Sequence, residues 1–244
     1  DTMELEFVQS INVSSVLAPE VKKAARNADV ALTCHGQYFI NLNALEEAKV
    51  SASVQRIVSA ALRAWECGAW SMTFHPGYYL GQDSGRVYQK IRKNLKEAVR
   101  QVQNTGSNIW VRPETTGKCT QFGTVDELLQ LSQEIEQVMP CIDFSHLHAR
   151  TAGGENTSAE FRATLEKVEK ALGKDGLHAM HMHLSGIAYS EKGEKHHLLL
   201  EESDLRYQDL LRVLKEFNVR GSLTCESPNI EGDALLLQKV YHQI

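Results

Sequence analysis

A repeated switch between two hydrophobic periods is the feature that most constrains the fold of this chain. Short segments rich in β-forming residues alternate with longer amphipathic segments of helical period along the whole sequence. The predicted strands are residues 3–8, 31–36, 71–76, 108–114, 140–146, 178–185 and 221–227. The predicted helices are residues 18–28, 44–68, 83–105, 124–138, 157–173, 203–217 and 231–243. Each strand–helix unit averages about 35 residues, which is the size of a βα repeat.

This alternation predicts a single α/β domain over residues 1–244, because no linker or change of composition divides the repeats. The TIM (β/α)8 barrel contains eight such units in roughly 250 residues. We therefore predict a TIM (β/α)8-type barrel that lacks the first βα unit, since the chain opens directly on a strand. A genuine seven-unit sheet is the alternative.

Composition restricts the classes of protein to consider. Hydrophobic residues make up 42% of the chain and charged residues 23%, which is typical of a soluble globular protein. We expect no membrane association, because no apolar segment approaches the roughly 18 residues of a membrane helix. The first ten residues lack a signal-peptide pattern and the five cysteines form no CxxC pair, so we expect a cytoplasmic protein with reduced thiols. The net charge of -5 argues against a dedicated basic nucleic-acid module, although bound metal ions can make a site positive.

Six consecutive predicted strands end in residues that bind metals or transfer protons. These residues are His35, His75, Glu114, Asp143 with His146, His183 and Glu226. In a TIM barrel the carboxyl ends of the strands meet at one mouth, where active sites lie. We therefore predict that these side chains form one site. His181 lies one layer deeper on the same face and is predicted to be a core histidine.

The residue types at these positions predict a multinuclear metal site. Imidazoles and carboxylates without a thiolate suit zinc, manganese or iron. The set exceeds what one tetrahedral ion can use, so a carboxylate such as Glu114 is expected to bridge two ions. Adjacent ions can activate water and stabilise both oxygens of a phosphoryl displacement. Residues 192–203 offer Glu194, His196 and His197 as further ligands, and a solvated charged loop is the alternative for this segment.

Together these motifs resemble the endonuclease IV family of metal-dependent apurinic/apyrimidinic endonucleases, over nearly the whole chain. HGQYFINL (35–42) is similar to the family's His-x-x-Tyr-x-x-Asn-Leu segment, FHPG (74–77) to its second histidine motif and ETTG (114–117) to its Glu-Asn-Thr stretch. CIDFSH (141–146) resembles the Cys-x-Asp-x-x-His motif, which is the most specific signal. MHLSG (182–186) and CESP (225–228) resemble the last two strand-end motifs.

The resemblance implies a TIM barrel that hydrolyses the phosphodiester 5′ to an abasic site in double-stranded DNA during base excision repair. It implies two or three Zn²⁺ ions, with Mn²⁺ as the alternative metal. The implied ligand sets are His35, His75 and Glu114 for the first ion; Glu114, Asp143, His183 and Glu226 for the second; and His146 with the 192–203 segment for the third. The implied catalytic residues are Glu226, Glu114 and Asp143. Tyr38 matches a tyrosine that enters the DNA, and packing under a loop is the alternative for it.

The chain departs from the family in the segment that would complete the third ligand set. The family has Asp-Arg-His there, and EKHH (194–197) aligns with it in two ways. If His196 is the ligand, Glu194 replaces the aspartate; if His197 is the ligand, Lys195 falls at that position. The spacing favours His197. The family's first βα unit, which supplies a DNA-contacting loop, is not matched.

Two other functions remain open from the residues. A sugar or sugar-phosphate isomerase or epimerase of the xylose-isomerase-like barrels uses a similar ligand set with one or two divalent ions, and the net charge of -5 favours it. A non-catalytic relative that binds DNA or metal is the third hypothesis. No protein partner is predicted.

Overall fold

Seven parallel strands separated by helices follow one another along the chain, as the sequence predicts. The computed structural model describes residues Asp1–Ile244. The elements of the first part of the chain are β1 (Thr2–Glu6), α1 (Ala18–Asn27), β2 (Ala31–His35), α2 (Glu47–Glu66), β3 (Ser71–Phe74), α3 (Ser84–Gln103), β4 (Trp110–Pro113) and α4 (Val125–Glu134). The remaining elements are β5 (Cys141–Asp143), α5 (Phe144–Arg150), α6 (Ser158–His178), β6 (Met180–Leu184), β7 (Gly186–Ser190), β8 (Gly193–Leu198), a 3-10 turn (Leu200–Glu202), α7 (Tyr207–Glu216), β9 (Gly221–Cys225) and α8 (Glu231–Gln243).

The chain divides into two compact units. The first contains residues 1–114, 120–123 and 130–140, and the second contains residues 115–119, 124–129 and 141–244. The prediction of one domain over residues 1–244 stays a prediction.

The first unit is built on a parallel sheet with the strand order β1-β2-β3-β4. The register pairs His35 with Thr73 and Thr73 with Arg112, so these polar side chains share one face of the sheet. Alternate residues such as Cys34 and Met72 occupy the other face and are completely buried. The sequence alternation thus separates a polar face, which leads to the ends of the strands, from an apolar core.

The second unit contains a parallel sheet with the order β5-β6-β9 and a separate antiparallel hairpin of β7 and β8. Its core packs α5, α6 and α7 against the sheet through residues such as Phe144, Phe161, Met182 and Leu210. The helix α6 is interrupted by Gly173, which has a φ of 68°. The first helical segment therefore ends at Gly173, as the sequence predicts, and a second short segment, which the sequence does not predict, continues to His178.

Three elements of the second unit, α5 and the two hairpin strands β7 and β8, are absent from the sequence prediction. The predicted strand 140–146 is wrong beyond Asp143, because the Asp143 carboxylate caps α5 and starts a helix at Phe144. The segment 192–203, predicted as a loop, contains β8. Its residues are mostly polar because this hairpin is partly exposed, so it lacks the hydrophobic alternation of a core strand.

None of the helices combines the length and the apolarity that crossing a membrane requires.

The five cysteines are all free thiols with different environments. Cys34, Cys67 and Cys141 are buried, Cys225 is intermediate and Cys119 is exposed. Burial raises the pKa of Cys34 well above its ordinary value, and the carboxylates of Glu4 and Glu6 act in the same direction. Because the thiolate is the reactive form, this thiol is expected to be inert in the folded protein.

We therefore expect a thiol reagent such as DTNB to modify one cysteine rapidly in the native protein and all five after denaturation. The absorbance of the released thiolate measures the number of modified cysteines in the native and in the denatured protein. Cys119→Ser is expected to remove the fast phase, and Cys34→Ser to leave it unchanged. A fast phase that survives Cys119→Ser would contradict the lower exposure of the other four thiols.

Candidate metal centre

The ends of β2, β3 and β4 bring two imidazoles and one carboxylate together in the first unit. The strand β2 ends at His35, and His75 and Glu114 each follow the last residue of their strand. The Nε2 atoms of His35 and His75 lie 3.3 and 3.4 Å from the two carboxylate oxygens of Glu114. The ligand atoms of the three residues lie within 4.8 Å of one another. We call this set the first donor group.

Hydrogen bonds fix the orientation of this group. A backbone carbonyl only accepts, so the 2.7 Å contact between His35 Nδ1 and Gly36 O makes Nδ1 the donor and turns Nε2 toward Glu114. The Thr73 hydroxyl lies 3.3 Å from Glu114 Oε2. Glu114 is completely buried, and a buried carboxylate is unfavourable unless positive or hydrogen-bonding partners compensate it. The group is therefore suited to holding a cation.

Asp143, His183 and Glu226 form a second donor group in the second unit. Asp143 and His183 are register neighbours at the ends of β5 and β6, and Glu226 directly follows β9. Glu226 Oε1 lies 3.4 Å from His183 Nδ1, and the ligand atoms of the three lie within 4.8 Å of one another. Asp143 and His183 are completely buried, whereas the Glu226 side chain is 17% exposed. Glu226 is thus the member of this group that solvent can reach.

A third donor group consists of His146, Glu194 and His197. Asp143 Oδ1 accepts a 2.7 Å hydrogen bond from the backbone N–H of His146, and this cap places His146 in the first turn of α5. His146 Nδ1 lies 3.0 Å from Thr115 O and 3.1 Å from Asp143 Oδ2. Both are acceptors, so Nδ1 donates and Nε2 faces Glu194, 3.6 Å from its Oε2. The ligand atoms of the group lie within 4.8 Å of one another.

A β-bulge in the hairpin explains why Glu194 and His197 contribute to one group. In a regular strand, residues three positions apart point to opposite faces. In β8, Lys195 is an extra residue between those that pair with Ala188 and Tyr189 of β7. Such a bulge shifts the alternation by one position, so Glu194 and His197 point the same way. Neither alignment of EKHH predicts this pair. One alignment pairs Glu194 with His196, and the other pairs Lys195 with His197.

Gly117 allows the hairpin to approach His146. Its carbonyl accepts a 2.9 Å hydrogen bond from the N–H of Glu194. A Cβ at position 117 would lie 2.7 Å from both Cβ and Oε2 of Glu194 and 3.1 Å from His146 Cδ2. Any other residue there would displace Glu194 from the third donor group.

The buried carboxylate of Asp233 connects the segments that follow β8 and β9. Its Oδ2 accepts from the N–H of Leu200 at 2.8 Å, and its Oδ1 accepts from Asn229 Nδ2 at 3.0 Å. Burial acts to raise the pKa of Asp233, but hydrogen bonds from Ser227, Leu200 and Asn229 outweigh it and lower this pKa. The carboxylate therefore stays ionised and holds both segments in place.

The structure also assembles a set that the sequence interpretation did not anticipate. Cys141 pairs in register with His181, and these two and His183 have ligand atoms within 4.8 Å of one another. All three are completely buried. No open position faces a substrate, so this set is not suited to catalysis. Only the β5–β6 register brings these three residues together, and the sequence does not reveal this register.

Two predicted residues lie outside the donor groups. His196 is exposed on the hairpin. Tyr38 is 58% exposed in the loop after β2, and its ring centroid lies 5.9 Å from that of His35. Tyr38 therefore does not pack under a loop, and a molecule bound near His35 could reach its ring.

The three donor groups fit divalent metal ions by their chemistry. They contain imidazoles and carboxylates, the ligands that zinc and manganese share. His35, His146 and His197 each donate Nδ1–H to a backbone carbonyl, that of Gly36, Thr115 and Glu226 respectively. Metal-binding histidines use this arrangement to fix the tautomer and to direct Nε2 at the ion. The identity of the metal stays a prediction.

Sequence comparisons identify relatives over almost the whole chain. A family model described as "Xylose isomerase-like TIM barrel" matches residues 1–240. An uncharacterized protein of Methanocaldococcus jannaschii is 43% identical over 99% of this chain and 87% of its own length. A probable endonuclease 4 of Oceanobacillus iheyensis is 27% identical, and the match spans 72% of this chain and 57% of that protein. The resemblance to endonuclease IV is thus confirmed at low identity.

Solved structures confirm the TIM-barrel fold. A D-tagatose 3-epimerase-like protein has a TM-score of 0.77 at 21% identity, covering 100% of this chain and 87% of that chain. Endonuclease IV from Thermus thermophilus has a TM-score of 0.74 at 19% identity, covering 97% of this chain and 85% of that chain. These likenesses concern the fold and do not separate the two activities.

His197 belongs to the third donor group, whereas its neighbour His196 does not. We expect His197→Ala to lower the number of tightly bound divalent ions by one, because it removes a donor from that group. His196→Ala, a change of the same size at an exposed site, is expected to leave the metal content unchanged. Elemental analysis after dialysis against a weak chelator measures this. Equal metal loss in both variants, or loss only in His196→Ala, would contradict the assignment.

Proposed function

The chain belongs to the xylose isomerase-like TIM barrel family, and on this premise we propose that it is a metal-dependent endonuclease that cleaves DNA 5′ to abasic sites. The observation that carries the proposal is the third donor group of His146, Glu194 and His197. Isomerisation or epimerisation of a sugar moves a proton at a carbon next to a carbonyl, and one or two ions that polarise this carbonyl are sufficient. Phosphodiester hydrolysis places charge on the attacking, leaving and non-bridging oxygens together, so a third cation is useful there.

In the proposed reaction, water attacks the phosphorus atom in line and the bond from phosphorus to the 3′ oxygen breaks. The products are a 3′-hydroxyl end and a 5′-phosphate on the abasic residue. Divalent ions bound to the donor groups would supply activation of the water and stabilisation of the developing charge. Glu226, the partly exposed member of the second donor group, would orient the water through its carboxylate. Asp143 accepts a hydrogen bond from the backbone N–H of His146, which fixes the position of its carboxylate.

Exposed aromatic side chains next to the first donor group support a nucleic-acid substrate. Tyr38 and Phe39 follow β2 and are 58% and 65% exposed. The loop that carries them is held by a 2.9 Å hydrogen bond from the Tyr38 N–H to Val8 O and a 3.1 Å bond from Arg56 to Phe39 O. Exposed rings on a fixed loop can stack on unpaired bases, which is a sequence-independent contact. An abasic site has no paired base, so its extrusion costs less than that of an intact nucleotide.

The resemblance also gives Glu114 a bridging and catalytic role, which stays a prediction. Its complete burial and its contacts with His35 and His75 support a role as a metal ligand.

A sugar or sugar-phosphate epimerase is the second candidate. The net charge of -5 favours a small neutral substrate over a polyanion. Metal content separates the two candidates: three zinc ions per chain support the nuclease, and one or two manganese or magnesium ions support the epimerase.

A duplex oligonucleotide with one tetrahydrofuran abasic analogue tests the nuclease proposal directly. We expect cleavage on the 5′ side of the analogue in zinc or manganese, and no cleavage of the intact duplex. Glu226→Gln keeps the size of the side chain but removes its charge, and we expect it to lower kcat by roughly 10²–10³-fold, the range for one electrostatic contact. His196→Ala is the matched control and should cleave at the wild-type rate.

Three outcomes would contradict this proposal. Equal cleavage by the wild type and Asp143→Ala would reject the metal assignment. Turnover of ketohexoses without cleavage of abasic DNA would establish the epimerase. Binding of abasic DNA without cleavage by the wild type would indicate a non-catalytic relative.

A further inference from the structure

We propose that Tyr189, Asp204 and His148 form a clamp that holds the β7–β8 hairpin against α5 and so positions Glu194 and His197 for His146. These three clamp residues are not metal ligands in any of the donor groups. The inference deepens the proposed function, because it rests on the third donor group binding an ion.

The clamp is a closed set of three contacts. The Tyr189 hydroxyl donates to Asp204 Oδ2 at 2.7 Å, and His148 Nε2 lies 2.9 Å from Asp204 Oδ1. The imidazole of His148 and the ring of Tyr189 meet edge to face, with centroids 4.9 Å apart. His148 is completely buried, so the imidazole side of its contact with the carboxylate is shielded from solvent. Each member therefore restrains the other two.

The clamp acts at the position of the β-bulge. Tyr189 pairs directly with Glu194 across the hairpin, and the register changes between Ala188 and Tyr189. A bulge is a weakly paired point of a ladder, where one residue lacks a partner strand residue. Fixing the Tyr189 side chain at this point fixes the register in which Glu194 and His197 share a face.

The other end of the clamp lies on the helix that carries the third ligand. His146 and His148 are two residues apart in α5, so they point to different sides of this short helix. His146 faces the third donor group and His148 faces Tyr189. The clamp therefore couples the hairpin and the helix, which are the two elements that supply the group.

The segment 151–154 is shaped around the Tyr189 hydroxyl. Gly153 has a φ of +95°, and a Cβ there would lie 2.5 Å from Tyr189 Oη. Its N–H donates to His148 O at 2.9 Å. On the other side, Asn156 Nδ2 donates to Asp204 O at 2.9 Å and so fixes the backbone that bears the carboxylate. The segment 151–154 (TAGG), which by itself is nonspecific in the sequence, thus provides space for the clamp.

Two substitutions with matched controls test the clamp. Tyr189→Phe removes only the hydroxyl, and Asp204→Asn leaves one acceptor oxygen for two donors. We expect Tyr189→Phe to lower the affinity for one divalent ion of the set by up to about tenfold, because Tyr189 lies one contact further out than the direct hydrogen-bond partners of metal ligands, whose loss costs roughly 10–100-fold. Asp204→Asn is expected to have a smaller effect. Tyr241→Phe in α8 and the exposed Asp175→Asn should match the wild type. Competition with a fluorescent zinc chelator measures the affinities, and native mass spectrometry counts the ions retained.

Amide hydrogen exchange of residues 186–198 provides the second measurement. In the protein as purified and after chelation, Tyr189→Phe is expected to increase exchange in this hairpin and to leave the melting temperature within the range of the controls. Unchanged exchange overturns the clamp, and so does faster exchange with unchanged affinity for every ion. A wild-type protein that retains only two ions and cleaves no abasic DNA overturns the proposed nuclease instead, since exchange after chelation still reports on the clamp.

Discussion

A hydrogen bond from a histidine ring to a backbone carbonyl is the interaction on which the first and the third donor group each depend. An imidazole that donates through Nδ1 has its second nitrogen fixed in both protonation and direction. His35, His146 and His197 each make this bond, to carbonyls that belong to the ends of strands or to the loops after them. The backbone of each parallel sheet therefore sets the direction of these side chains, and each donor group is organised by the fold of its own unit.

The sequence predicted the fold well because its signals are regular. Buried parallel strands repeat at the spacing of a βα unit, and His35 and Asp143 are the last residues of their strands, where the alternation places them. The family match and the solved structures confirm the TIM-barrel class. The positions of the ligands at strand ends could be predicted for the same reason, since a fixed alternation of side chains needs no tertiary information.

The parts that the sequence did not reveal are local departures from regularity. The helix α5 begins because Asp143 turns its carboxylate to a backbone N–H, a contact that competes with extending the strand. The pairing of Glu194 with His197 depends on the extra residue Lys195, and a bulge has no pattern of its own in a short polar segment. The approach of Gly117 to Glu194 joins residues far apart in the chain, so no spacing rule could anticipate it.

The placement of the third donor group has a consequence for how the family can diversify. Two of its three candidate ligands lie on one hairpin of thirteen residues, 186–198, that belongs to neither parallel sheet. Insertion, loss or redesign of this hairpin would change how many cations a barrel can hold. The strands that carry the other donor residues would stay undisturbed. The number of cation sites can then differ among barrels that share the same strands and helices, and one fold can host different chemistries.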